Sequence, residues 1–271
     1  MVPKLMRDPR GWLSGVLWLL AGAALAVGLG MAPPRFELLL APGASSTETV
    51  VIFSYDAPDQ RVDVGVVDWT LDPEGQLRVL PPGTLPYSAS AWLQASADPF
   101  TLARSGTHPV RFTVAVPKDA ALEGSYWTGL SFTTEPRPTE EGEGMTVRVR
   151  ARAVVVIYVT IPGTERPAAA LQGVLLQDGE DGRFVVVDVV NEGNVYLRLG
   201  GELRFVNERG EVAARVPLPE RVLLRDGLVR YRLALPDDLP DDAVLAAVEI
   251  HPRGPADGYG GPPLYGEVPL R

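Results

Sequence analysis

The chain has no cysteine in its 271 residues, only two histidines, and two lysines beside 23 arginines. Without cysteine there is neither a disulfide nor a lipidated N-terminal cysteine, so any fold must be held by its core. His108 reads as lying in a turn before a strand and His251 as ending a strand before Pro252; neither has a second histidine or cysteine at metal-ligand spacing, and both read as solvated turn histidines. No serine sits in a G-x-S-x-G elbow, and no G-x-x-x-x-G-K or G-x-G-x-x-G motif follows a strand-like run. Acidic clusters occur at Asp178, Glu180 and Asp181 and at Asp237, Asp238, Asp241 and Asp242. They lack the alternating spacing of a calcium loop and read as a solvated turn and a solvated loop. These absences argue against an enzyme and imply no metal and no cofactor. The bias toward arginine over lysine fits a GC-rich genome or a warm habitat. A net charge of −9 excludes a nucleic-acid partner, which would call for a basic face.

Helical periodicity is also missing beyond the N-terminus. That terminus carries Lys4, Arg7 and Arg10 and then runs without charge from Gly11 to Ala32. The pattern is that of an export signal, with Ala24-Leu25-Ala26 as a small-x-small cleavage site, or of an uncleaved membrane anchor. In either case the positive charges stay inside, and the remainder becomes periplasmic or otherwise extracytoplasmic. Loss of residues 1–26 removes three cations and one anion and so lowers the net charge from −9 to −11.

What is present is a succession of short Val, Ile, Leu, Phe and Tyr runs closed by Gly, Pro, Asp or Asn. Val110, Phe112, Val114 and Val116 alternate with polar or small residues, as do Val229, Tyr231, Leu233 and Leu235. These are half-buried strands, and their spacing predicts an all-β chain. The two halves also repeat. Tyr55-Asp56 matches Val190-Asn191, and Leu71-Asp72-Pro73-Glu74-Gly75 matches Val206-Asn207-Glu208-Arg209-Gly210 as a hairpin turn. Val114-Ala115-Val116-Pro117 matches Leu233-Ala234-Leu235-Pro236, and the first half carries its extra residues between Leu80 and Arg104. The expected fold is two tandem immunoglobulin-like β-sandwich domains, 35–162 and 167–271, after a signal or anchor segment, 1–32. The linker is Pro162–Pro167, short enough to fix an angle between the domains.

The segment Met145–Ile161 contains no glycine or proline, although those residues fill 54 of 271 positions. Met145, Val147, Val149, Ala151 and Ala153 alternate with Thr146, Arg148, Arg150 and Arg152, which is a strand with one apolar face. From Val154 the run is continuously apolar and predicts burial on both faces. So long a strand is expected to outrun its sheet and leave a free edge. The odd-numbered side chains fit either a partner's groove or this domain's own core.

From Phe36 to Pro162 the chain resembles the periplasmic PapD-like chaperones of pilus and surface-fibre assembly. The matching features are a first strand ending in Ala41-Pro42-Gly43, then Val50–Tyr55, Ala91-Trp92-Leu93, a proline-closed strand before Lys118, Gly124-Ser125-Tyr126, and the long strand reaching Ile157-Tyr158. The resemblance implies two domains in an L and a last strand of the first domain donated to an incomplete pilin-like subunit. It also implies an outer-membrane usher as a further partner and a mobile loop at Thr133–Gly144. The client-binding residues are then Met145, Val147, Val149, Ala151 and Ala153, with Arg148, Arg150 and Arg152 on the other face. Two departures stand out. The positions where the family carries cleft basic residues hold Leu38 and Val155, and Arg148 and Arg150 fall where it carries apolar donors, unless a bulge near Ala153–Val154 shifts the parity. The alternative is a structural or adhesive envelope protein that binds peptidoglycan or other surface proteins.

Overall fold

The structure, a computed structural model, describes residues 28–271 except Asp56, 96–97, 142–144 and Asp181. The basic start, most of the uncharged run and the Ala24–Ala26 cleavage site lie outside the described residues. Among those described, no helix is long and apolar enough to cross a membrane.

Twelve strands build the first half. They are β1 (Leu29–Ala32), β2 (Arg35–Leu39), β3 (Ser45–Ser54), β4 (Gln60–Leu71), β5 (Leu77–Leu80), β6 (Leu93–Ala95), β7 (Phe100–Leu102), β8 (Thr107–Ala115), β9 (Gly124–Thr134), β10 (Arg137–Glu141), β11 (Met145–Val149) and β12 (Arg152–Ile161). Seven build the second: β13 (Ala169–Gly179), β14 (Gly182–Asn191), β15 (Leu197–Asn207), β16 (Val212–Leu223), β17 (Leu228–Ala234), β18 (Ala243–Arg253) and β19 (Leu264–Pro269). One sandwich packs β1-β3-β8-β6 on β2-β12-β9-β4-β5, with β7 also on β4, and the other packs β13-β14-β17 on β16-β15-β18-β19. The molecule is therefore a pair of immunoglobulin-like β-sandwiches, each with its own core.

The two sandwiches share one plan. The order β1-β3-β8 recurs as β13-β14-β17, and β12-β9-β4-β5 recurs as β19-β18-β15-β16. The repeated turns are also the same object. Gly75 donates to the Asp72 carbonyl at 2.9 Å with φ +86°, and Gly210 donates to the Asn207 carbonyl at 2.9 Å with φ +79°. Each glycine supplies a left-handed conformation that closes the hairpin. In the first half the additional elements between Leu80 and Arg104 are a 3₁₀ turn at Ser90–Trp92 and strands β6 and β7.

Three expectations are revised. Leu29–Ala32 pairs with Ser54–Val51, so the first sandwich begins before residue 35. The proline pair Pro33-Pro34 then carries the chain from one sheet to the other. His108 lies within β8, stacked on Phe100 with ring centroids 3.8 Å apart, and not in a turn. His251 lies inside β18, 3.2 Å from a Glu249 carboxylate oxygen. Among the described residues no group of side chains could hold a metal ion.

Candidate functional site

Met145–Ile161 is not one strand. It divides at Arg150-Ala151 into β11 and β12. Its partner is divided too, because Thr133–Gly144 is largely a strand pairing and not a loop. Arg137–Glu141 pairs antiparallel with Val149–Met145, while residues 142–144 lie outside the described ones. The register explains the break. Thr133 is opposite Arg152, and Arg137 is opposite Val149. Three residues, Thr134 to Pro136, therefore stand against two, Arg150 and Ala151, which is a β-bulge on the β9–β10 side. Thr134 donates its N–H to the Ala151 carbonyl at 3.0 Å and accepts the Ala151 N–H on its hydroxyl at 3.0 Å. A bulge near Ala153-Val154 that would shift the parity is absent, since β12 keeps unbroken register with β9 there; the extra residue lies opposite Arg150, on the partner strand. Because the extra residue is on the other strand, the parity of 145–161 is kept.

β12 is paired along its whole length with β9 on one border. On the other border β2 covers it in parallel only from Val156 to Thr160. The rungs run from the Val156 N–H, which donates to Pro34 O at 3.2 Å, to the Leu40 N–H, which donates to Thr160 O at 3.1 Å. Alternation along a strand then places the N–H and C=O of Val154 and of Arg152 on that same border, ahead of the last rung. Among the described residues no strand pairs with them there. Among the described strands β11 likewise pairs only with β10. Among the described residues, one border of 145–155 is therefore unpaired, whereas 156–160 is covered by β2 and the expectation of a free edge fails there.

The side chains of β12 divide by parity. Val155, Ile157, Val159 and Ile161 are wholly or almost wholly buried in the first core, and Ala153 packs against it. Val154 and Val156 are half-buried on the outer face, and Arg152 is exposed. Of the other residues singled out in the sequence, Arg148 and Arg150 are exposed, and Val149 and Ala151 are half-buried. Met145 and Val147 lie on β11, opposite Glu141 and Thr139. Leu38 packs against the first core and Val155 is inside it. Neither faces the cleft.

Side chains that do face the second domain come from β2, β4, β9 and β12. Trp69, Trp127 and Tyr158 form one buried cluster with Tyr196 and Leu224. Tyr158 lies 4.2 Å from Tyr196 and 5.5 Å from Trp69, centroid to centroid. This is why the run after Val154 is apolar on both faces: one faces the core and the other the seam. Burial raises the pKa of both Tyr158 and Tyr196, and the Glu37 carboxylate adds to the effect at each.

Glu37 on β2 binds the domains together. It accepts from the Tyr196 hydroxyl at 2.9 Å, from the Ala256 N–H at 3.3 Å and from the Arg198 guanidinium. Arg198 is 2% exposed. Burial works against its charge, yet the Glu37 carboxylate above all, with smaller contributions from Tyr196, Tyr158 and Glu220, outweighs that and holds its pKa above the ordinary value. Asn194 fixes the linker, accepting from the Arg166 N–H at 2.7 Å and donating to Thr164 O at 2.9 Å. Its own carbonyl takes the Ser125 N–H at 2.9 Å. Sequence reasoning found neither Glu37 nor Asn194. Their partners are far off in the chain, and the one available signal was a carboxylate inside an apolar strand.

Neither a protein-family model nor a curated protein matches the chain. Solved structures similar to it include fimbrial chaperones. A chaperone–tip adhesin complex of CFA/I fimbriae biogenesis has 10% identity and a TM-score of 0.45, over 90% of this chain and 100% of that one. The CsuC–CsuE chaperone–tip subunit complex of Acinetobacter baumannii Csu pili has 9% identity and a TM-score of 0.43, over 88% and 97%. The Salmonella enterica SafA pilin–SafB chaperone complex has 10% identity and a TM-score of 0.42, over 89% and 96%.

Proposed function

We propose that this chain is an exported, chaperone-like holder of pilus or surface-fibre subunits that acts by strand addition at the edge formed by β11 and the first residues of β12. The observation that carries the proposal is the step at Val156. Beyond it β12 is paired on both borders, and before it no strand among the described residues pairs with the main-chain groups of Arg152 and Val154 on the β2 side. An open edge is a template for a further strand, which the chain's own β2 leaves vacant. A partner segment would add its backbone there and lay alternate side chains beside Val149, Ala151 and Ala153. A secretion usher is the second partner that such a role calls for. Among the solved structures named above, one is described as a chaperone with a pilin and two as chaperones with tip subunits. The proposal gives this chain the same role, and the open edge carries it, not that likeness.

The seam favours one further reading. Domains fixed by Glu37, Asn194 and a buried aromatic cluster also suit a rigid structural or adhesive envelope protein. Peptide binding separates the two. A fluorescent nine-residue peptide alternating valine with serine is titrated against the folded chain and against Val154→Pro, which removes one N–H on the open border. Binding to the parent and loss in the variant are expected for strand addition. Equal binding by both would leave the structural reading in place.

A further inference from the structure

We infer that the open edge selects an acidic partner: an extended polypeptide segment carrying carboxylates at alternate positions, set against Arg148, Arg150 and Arg152. The inference rests on the strand-addition reading and adds the chemistry of the occupant.

The three arginines recur at every second residue, and all are exposed. The bulge lies on the opposite strand, so their common parity survives the break between β11 and β12. Among the described residues none of the three forms an ion pair. That is not the habit of this chain. Arg166 is held by Glu123, Arg230 by Asp188, and Arg204 by Glu202 and Glu249. Across the sheet from Arg152 come Thr133 and then Asp63, but the Asp63 carboxylate lies 3.7 Å from Arg61. The ladder is thus a row of exposed cations beside main-chain groups, at Arg152 and Val154, that no strand among the described residues pairs with on the β2 side.

Two consequences favour an acidic peptide over other anions. A strand added to this border would bring its alternate side chains about 4.5–5.5 Å from those of its neighbour, within reach of an arginine fork. A phosphate polymer or lipid headgroup would meet the cations but leave the N–H and C=O groups unused. The chain's net charge of −9 also repels an acidic segment over most of its surface. The ladder therefore marks where such a segment lands, and it steers the encounter in a salt-dependent way.

The test uses three nine-residue fluorescent peptides that alternate valine with glutamate, serine or lysine, read by anisotropy at about 20 and 300 mM NaCl. The glutamate peptide is expected to bind at least tenfold more tightly than the lysine peptide at low salt, and the gap should narrow at high salt. The triple variant Arg148→Ser, Arg150→Ser, Arg152→Ser should lose about tenfold for the glutamate peptide and little for the serine peptide. Equal affinity for the glutamate and lysine peptides, with Val154→Pro still abolishing both, would overturn the acidic preference and leave strand addition standing. Undiminished binding of the serine peptide by a folded Val154→Pro would remove the underlying reading itself. Should that variant not fold, protection of the Arg152 and Val154 amides from exchange by the peptide replaces it, and its absence counts the same way. Binding of polyphosphate or anionic vesicles to the ladder without discrimination among the peptides would also overturn the inference.

Discussion

The Val156 N–H donates to the Pro34 carbonyl at 3.2 Å, and this contact is where the last strand of the first sandwich stops being shared. On its C-terminal side β2 runs alongside in parallel. On its N-terminal side Val154 and Arg152 present backbone groups to a border where no strand of the described residues pairs. Everything proposed about binding follows from that change within a single strand.

The parity of β12 predicts unequal costs. Ile157→Ala removes a wholly buried side chain and is expected to cost about 2–5 kcal/mol, as large-to-small core changes do. Val154→Ala, on the half-buried outer face, should cost well under half as much. Urea unfolding of the two variants checks this. Equal losses would mean that the faces are misassigned.

Glu37 and Arg198 predict an asymmetry between breaking and replacing a buried pair. Glu37→Gln leaves the buried guanidinium with the more distant Glu220, whose carboxylate is 3.5 Å away. A loss of about 3 kcal/mol is expected. The double change Glu37→Leu with Arg198→Met should recover most of it. Thermal unfolding of the single and double variants gives the coupling directly.

Gly124 sets how closely the domains approach. It has φ +70°, and a Cβ there would lie 2.1 Å from the Asn194 carbonyl oxygen. Gly124→Ala is therefore expected to loosen the seam, exposing Trp127 and shifting tryptophan emission to the red, with the two sandwiches unfolding in separate steps. A single unchanged transition would show that the seam does not couple them.

A weak acid dependence is also expected. The Arg166 hydrogen bond holds the Glu123 carboxyl below its ordinary pKa, and Arg204 does the same for Glu202. A depressed carboxylate contributes stability that is present above its unfolded pKa and is lost as the pH falls through the folded value. Stability should thus decline below about pH 4.5. Glu123→Gln should flatten that decline slightly, since the group is exposed and solvent screens the pair. Urea midpoints at pH 7 and pH 3 report it.

The sandwich architecture was legible because alternation and turn chemistry are local. Val110, Phe112 and Val114 betray a strand by themselves, and Gly75 and Gly210 mark their hairpins by needing positive φ. The break at Arg150-Ala151 was not legible, because a bulge belongs to a pair of strands and the extra residue is on the partner. Thr133–Gly144 looked like a loop by composition, yet backbone pairing asks nothing of its polar side chains. Glu37 was missed for a different reason: its partner Tyr196 lies 159 residues away, and no periodicity carries that distance.

Amide hydrogen exchange, resolved by residue along β12, tests the central claim most directly. In the free chain the Val154 amide should exchange fast and the Val156 amide slowly, and the alternating valine–glutamate peptide should slow Val154 without altering Val156. A Val154 amide already as protected as that of Val156 would contradict the account, because the border would then have an occupant from within the molecule.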